Sequence, residues 1–200
     1  MDKGIRLALE TGIGGGSVSL VAGRSVLDSW KGDRETPKAD FLLEGIEQTL
    51  KRNGLERSSI REVVCSTGPG SQTGLKIGFS LAKGICTALG IPLLERDLFE
   101  CIFENRCKDR DAGCIIVLPG GRKDFLWRYF DRTGKCLGSG KIGASDNAIG
   151  IIPETEMDRI EVFAPLEYLG EVEFSDAFGR EGKEGFTELG GALSDYIGLC

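Results

Sequence analysis

The stretch CSTGPGSQTGLKIGFSLAKGICTALGIPLL, from Cys65 to Leu94, constrains the fold more than any other part of the chain. It reads as a short buried strand at Val63 to Ser66, a glycine-proline turn, a helix from Ser71 to Leu89 and a second strand at Ile91 to Leu94. Pro69 has no N–H to offer a sheet, and Gly68 and Gly70 can take backbone angles closed to other residues. Ser71 or Thr73 can cap the helix, and Gly90 followed by Pro92 ends it. Within the helix Gly74, Gly78, Ala82 and Cys86 recur every four residues, so they form one stripe of small residues. A glycine inside a helix costs about 1 kcal/mol against alanine, so two of them require an offset such as close approach of another backbone. That backbone is either the protein's own sheet or a partner; the periodicity leaves both open.

The same residues carry a resemblance. GPGSQTGLKIG followed by AKGICTALGIPLL resembles the signature of the bacterial TsaB (YeaZ-like) family, the non-catalytic partner in making threonylcarbamoyladenosine on tRNA. That family typically has Phe where this chain has Gln72 and Arg where it has Lys76. The signature covers about thirty residues; the first hundred residues follow the family's order of elements, and beyond them the match is loose. The resemblance implies an α/β chain of the actin-like ATPase (ribonuclease-H-like) fold, with two lobes of mixed sheet and helices, the second lobe short. The expected division is residues 1–97 for the N-terminal lobe and 98–200 for a smaller C-terminal lobe with an acidic tail region. It also implies a TsaD-like catalytic subunit as partner, a TsaE-like ATPase in the same pathway, tRNA contacted only indirectly, and a homodimer in isolation. Helices of the N-terminal lobe would make these contacts. The residues expected at that surface are Gln72, Gly74, Leu75, Lys76, Gly78, Phe79, Ala82, Lys83 and Cys86.

The N-terminal segment reads as three consecutive antiparallel strands: Ile5 to Leu9, Ser17 to Val21 with polar and apolar residues alternating, and Ser25 to Trp30. Between the first two lie Glu10, Thr11 and a glycine-rich turn from Gly12 to Gly16. This arrangement resembles the first phosphate loop of the actin-like ATPases, where an aspartate helps place a metal-bound water and backbone N–H groups cradle phosphates. Here Glu10 replaces that aspartate, adding a methylene. Glu10, Thr11 and Gly12 are therefore read as a vestigial phosphate loop, with a plain hairpin turn as the simpler reading. Gly68 to Gly74 is not a Walker A motif, because Leu75 separates Gly74 from Lys76.

Pro37 to Asn53 reads as the first long helix, with Phe41, Leu42, Ile46 and Leu50 at helical spacing and Gly54 beyond its end. Relatives carry a histidine in this region; here the matching segment is TPKADFLLE, with Asp40 or a neighbour in its place. Asp97 caps a helix to about Asn105; Cys114 to Leu118 is a buried strand; Phe125 to Asp131 and Lys135 to Ser139 pair across Arg132, Thr133 and Gly134. Arg122 with the aromatics Phe125, Trp127 and Tyr129 fits the family's general pattern, although its usual aspartate there is missing. Further on, Arg159 to Phe163 reads as an edge strand, Glu171 to Gly185 as an acidic surface loop and Thr187 to Ile197 as a helix.

Composition then removes whole classes of chemistry. The chain of 200 residues has no histidine, which excludes Ser-His-Asp and Cys-His catalysis and histidine-ligated zinc hydrolysis. That matters because relatives have been labelled glycoproteases of the M22 type. Seven cysteines at scattered positions, with no C-x-x-C pair, argue against a disulfide framework and a zinc site. No metal and no cofactor is expected. A kinase or ATPase on the same fold would have to draw on Glu10, Asp124 or Asp131, none of which matches the needed pattern closely, so a non-enzyme is expected. Net charge is −6, with −9 from Pro153 to Cys200 and +3 before it, which does not describe an autonomous nucleic-acid binder. With no apolar run of membrane-spanning length and an early Glu10, the expected location is the cytoplasm, away from membranes.

Overall fold

The computed structural model describes residues 4–33, 39–110, 112–121, 124–142, 161–164 and 187–200. It divides into two compact units, one of Met1–Cys101 with Gly191–Cys200 and one of Ile102–Gly190. The sequence boundary at 97/98 assigned everything beyond it to a second lobe. The last ten residues instead return to the first unit, a non-local docking that no local pattern announces.

The first unit is built on a five-stranded sheet with β1 (Ile5–Glu10) at its centre. β2 (Ser17–Ala22) pairs antiparallel with β1 in the register Ile5 to Ala22 and Glu10 to Ser17, and β3 (Ser25–Lys31) lies outside it. On the other side β4 (Ile60–Ser66) and β5 (Leu93–Arg96) run parallel, giving the order β3-β2-β1-β4-β5. The expected meander is present; the last strand begins two residues later than Ile91, and the Pro92 carbonyl accepts the Val63 N–H at its entry. Alternation sends Leu7, Leu9, Val18 and Leu20 into one core, where Leu42, Ile46 and Leu50 of α1 (Ala39–Arg52) and Ala82 of α2 (Gln72–Leu89) cover them. The Trp30 ring lies directly on Gly45 of α1, where a Cβ would come within 2.5 Å of it.

The opposite face of the sheet is covered by the C-terminal helix. After α3 (Leu98–Arg106), capped by Asp97 accepting the Glu100 N–H at 3.2 Å, the chain enters the second unit and comes back as α4 (Leu193–Leu199). Gly198 sits against Ala8 and Val21, which point away from the α1 and α2 side. Asp195 Oδ1 accepts hydrogen bonds from the hydroxyls of Ser19 and Ser29, both 2.5 Å, and Oδ2 accepts the Ala192 N–H at 2.9 Å. Arg6 donates to the Gly198 carbonyl at 2.6 Å while pairing with Glu62 at 2.7 Å. The polar positions of the alternating β2 thus anchor a helix instead of facing water.

The second unit carries β6 (Cys114–Gly121), β7 (Asp124–Phe130), β8 (Cys136–Ile142), β9 (Glu161–Ala164) and β10 (Thr187–Glu188), in the order β10-β9-β6-β7-β8. Phe125, Trp127 and Tyr129 alternate along β7 and are buried on one face of it. β9 pairs with β6 on one side and β10 on the other, so it is not the edge strand expected. The helix expected over Thr187 to Ile197 is a strand at its start and a helix only from Leu193, because Gly190 and a left-handed Gly191 (φ 82°) separate the two. The Asp40 side chain, Arg122 and the acidic segment Glu171 to Gly185 lie outside the described residues. Among the described residues, no helix is long and apolar enough to cross a membrane.

Candidate functional site

Two loops of the first unit close on each other at the carboxyl end of β1 and β4. The Ser71 N–H donates to the Gly12 carbonyl at 2.7 Å, and Gly70 (φ 150°) lies so close that a Cβ there would be 2.5 Å from the Gly12 carbonyl group. Of the two residues that could cap α2, Ser71 does so, its hydroxyl accepting the Gly74 N–H at 3.3 Å. Leu75, half-buried, rests its methyl groups against Gly12 and Gly68.

Thr11 explains the small-residue stripe. A Cβ at Gly74 would lie 2.0 Å from the Thr11 carbonyl oxygen, and one at Gly78 would lie 2.1 Å from Thr11 Oγ1. Gly74, Gly78, Ala82 and Cys86 are the buried residues of α2. Of the two backbones left open by the periodicity, the one approaching is the protein's own β1–β2 loop. These four positions therefore leave the expected partner surface, since no partner can touch atoms already covered. Gln72, Lys76, Phe79 and Lys83 recur at i, i+4, i+7 and i+11 and are all exposed, Phe79 at 38%. Beside this stripe, Thr73, Lys76, Ile77, Ser80 and Leu81 line a shallow groove. α2 contains no acidic residue, so its outward face is basic and partly apolar.

The sequence singles out Glu10 in a vestigial phosphate loop, but not its burial. Glu10 is fully buried, its Oε1 accepts the Gly12 N–H at 2.7 Å, the Ile13 N–H also bonds to it, and among the described residues Oε2 has no partner. Burial outweighs these two hydrogen bonds and pushes its pKa up to about 8, so the neutral carboxyl dominates at pH 7. The backbone donors that would cradle a phosphate are thus turned onto the chain's own side chain. Burial, and next the Glu10 charge, pushes the nearby Cys65 thiol up to about 12. The other two carboxylates that a phosphoryl-transfer reading needs are committed elsewhere. Asp124 pairs with Lys141 at 2.6 Å. Asp131 Oδ1 accepts the Thr133 hydroxyl and the N–H groups of Thr133 and Lys135 within the β7–β8 turn, bonds that hold it below the usual carboxylate range. Among the described residues, no group of three or more cysteine, aspartate or glutamate side chains is placed to hold a metal ion.

A mixed sheet in this order, flanked by α1, α2 and α4, with glycine loops at the strand ends, defines a chain of the actin-like ATPase fold class, as expected. Known structures with this arrangement include YeaZ from Pseudomonas aeruginosa, at TM-score 0.63 and 16% identity over 98% of this chain and 90% of that one. A second, described as an uncharacterized protein with similarity to peptidase YEAZ from Pseudomonas aeruginosa, has TM-score 0.64 and 17% identity over 98% and 89%. The ethanolamine utilization protein EutJ from Carboxydothermus hydrogenoformans shares the fold at 0.56 and 11% identity, again over 98% and 89%. Residues 39–174 match the family described as TsaD, tRNA N6-adenosine threonylcarbamoyltransferase, and the chain belongs to that family. A curated relative, the tRNA N6-adenosine threonylcarbamoyltransferase of Porphyromonas gingivalis, is 38% identical over 50 residues, which is 25% of this chain and 15% of that protein.

Proposed function

We propose that the chain serves threonylcarbamoyladenosine modification of tRNA as a non-catalytic assembly subunit, binding and supporting a TsaD-like catalytic subunit. The observation that carries this reading is the outward stripe of α2, where Phe79 stands between Lys76 and Lys83 on a helix whose other side is locked into the fold. An exposed aromatic set among cations suits an interface, the ring supplying apolar area and the charges setting orientation. Family membership supports the pathway, and the β1–β2 loop supports the non-catalytic role. A phosphoryl-transfer enzyme needs an ionised carboxylate and open N–H donors, whereas Glu10 has its pKa raised and occupies the donors itself. Contact with tRNA then comes through the catalytic subunit, and a TsaE-like ATPase joins the same assembly, in the cytoplasm.

One observation favours a second reading, a diverged paralogue that pairs with itself without that role. Gln72 is exposed at the first turn of the same stripe, and an amide there contributes none of the apolar area that the family's phenylalanine would. Co-purification of the tagged chain from its host separates the two. Recovery of a TsaD-like protein supports the assembly subunit; recovery of the chain alone, as a dimer, supports the paralogue.

A further inference from the structure

Seven cysteines, each present as a thiol, are distributed over both units, and Cys101 meets Cys200. Cys101, 2% exposed, begins the passage out of the first unit, while Cys200 follows α4, the element that returns to it. Their side chains share a hydrogen bond. Cys200 is held in place from two sides, since Arg6 fixes the Gly198 carbonyl and Asp195 fixes the preceding turn to Ser19 and Ser29. The hydrogen bond to Cys200, and next burial, raises the Cys101 pKa, so Cys101 is the resolving thiol and half-buried Cys200 the one that meets the oxidant first. Cys200 is half-buried and so reachable from solvent.

We infer that Cys101 and Cys200 form a reversible disulfide, a redox modification site that staples α4 to the start of α3. The oxidant is a low-molecular-weight disulfide of the glutathione type. The Cys200 thiolate attacks one of its sulfurs and releases one thiol, forming a mixed disulfide. Cys101, deprotonated, then attacks the Cys200 sulfur and releases the second thiol, so that two protein thiols lose two electrons and two protons and the small disulfide becomes two thiols. The bond joins residues far apart in sequence, so it restricts the unfolded chain and stabilises the first unit.

The test uses the full chain in a glutathione disulfide buffer, read by intact mass, thiol count and peptide mapping. The expected product is lighter by about 2 Da, carries a peptide linking Cys101 to Cys200, melts several degrees higher, and reverts with dithiothreitol. Exposed Cys136 adds a mixed disulfide or an intermolecular cross-link, each of which raises the mass and is counted separately. Cys200→Ser removes the cross-link, and Cys101→Ser leaves a mixed disulfide at Cys200. The first of these changes a half-buried residue, so its folding is checked by its unchanged melting temperature under reducing conditions; Cys200→Ala repeats the test if it is not. Retention of all seven thiols under oxidation, or a cross-link that persists without Cys200, overturns the inference.

Discussion

Glu10 turns the first loop into a measurable pH dependence. Its pKa is raised from 4.5 to about 8 because the carboxyl is fully buried, which outweighs its hydrogen bonds from the Gly12 and Ile13 N–H groups. The sign follows from proton binding. Between these two pKa values the folded chain keeps the Glu10 proton and the unfolded chain has lost it, so stability falls as pH rises, by about 1.4 kcal/mol per pH unit. The contribution is complete below pH 4.5 and lost by the time the pH passes about 8. Glu10→Gln removes the titration but keeps an oxygen for the Gly12 and Ile13 N–H groups, and its buried NH2 costs about 1 to 3 kcal/mol for lack of a partner. Urea unfolding of both proteins from pH 5 to pH 9 gives the comparison. The variant starts less stable, and the gap moves in its favour by several kcal/mol between pH 5 and pH 8, then changes little. No histidine titrates in this window, and the thiols that begin to ionise towards pH 9 are common to both proteins, so the difference between the two curves isolates Glu10. Parallel curves for the two proteins, or a wild type that gains on the variant as pH rises, would refute the buried neutral carboxyl.

Other consequences are separable. Gly74→Ala places a methyl 2.0 Å from a backbone oxygen and destabilises by about 3 kcal/mol or more, whereas Gly84→Ala, with nothing within 4 Å, is neutral or stabilises by up to about 1 kcal/mol; thermal melts of the two variants check this contrast. Asp195→Ala removes the acceptor shared by Ser19, Ser29 and the Ala192 N–H and lowers stability by about 3 kcal/mol, read by denaturant titration. Calorimetry with ATP and magnesium gives no binding heat; a heat that Glu10→Gln abolishes would return the chain to the nucleotide-binding enzymes.

The sequence made α2 legible in detail because its ends are local: Ser71 caps one end, and Gly90 takes a left-handed conformation (φ 66°) at the other. The antiparallel meander of β1 to β3 followed from alternation and turns, while the parallel placement of β4 and β5 beside β1 came only with the structure. What was hidden was non-local. Periodicity shows that something lies close to Gly74 and Gly78, but that it is Thr11 depends on how the β1–β2 loop meets the Gly68 to Ser71 turn. The serines of β2 look solvent-facing in an alternating strand until Asp195 arrives from nearly the other end of the chain. Glu10 looked like a weak substitute for aspartate; its longer side chain instead reaches the Gly12 N–H and closes the loop on itself.

The central claim is that the outward stripe of α2 is the assembly surface, and a titration of the chain against the TsaD-like subunit of the same host tests it most directly. Phe79→Asp and Lys76→Glu alter exposed side chains only, so both variants should melt with the wild type. Phe79→Asp is expected to weaken binding at least tenfold, about 1.4 kcal/mol, and Lys76→Glu to weaken it less. Binding that is undiminished in a folded Phe79→Asp variant would contradict it.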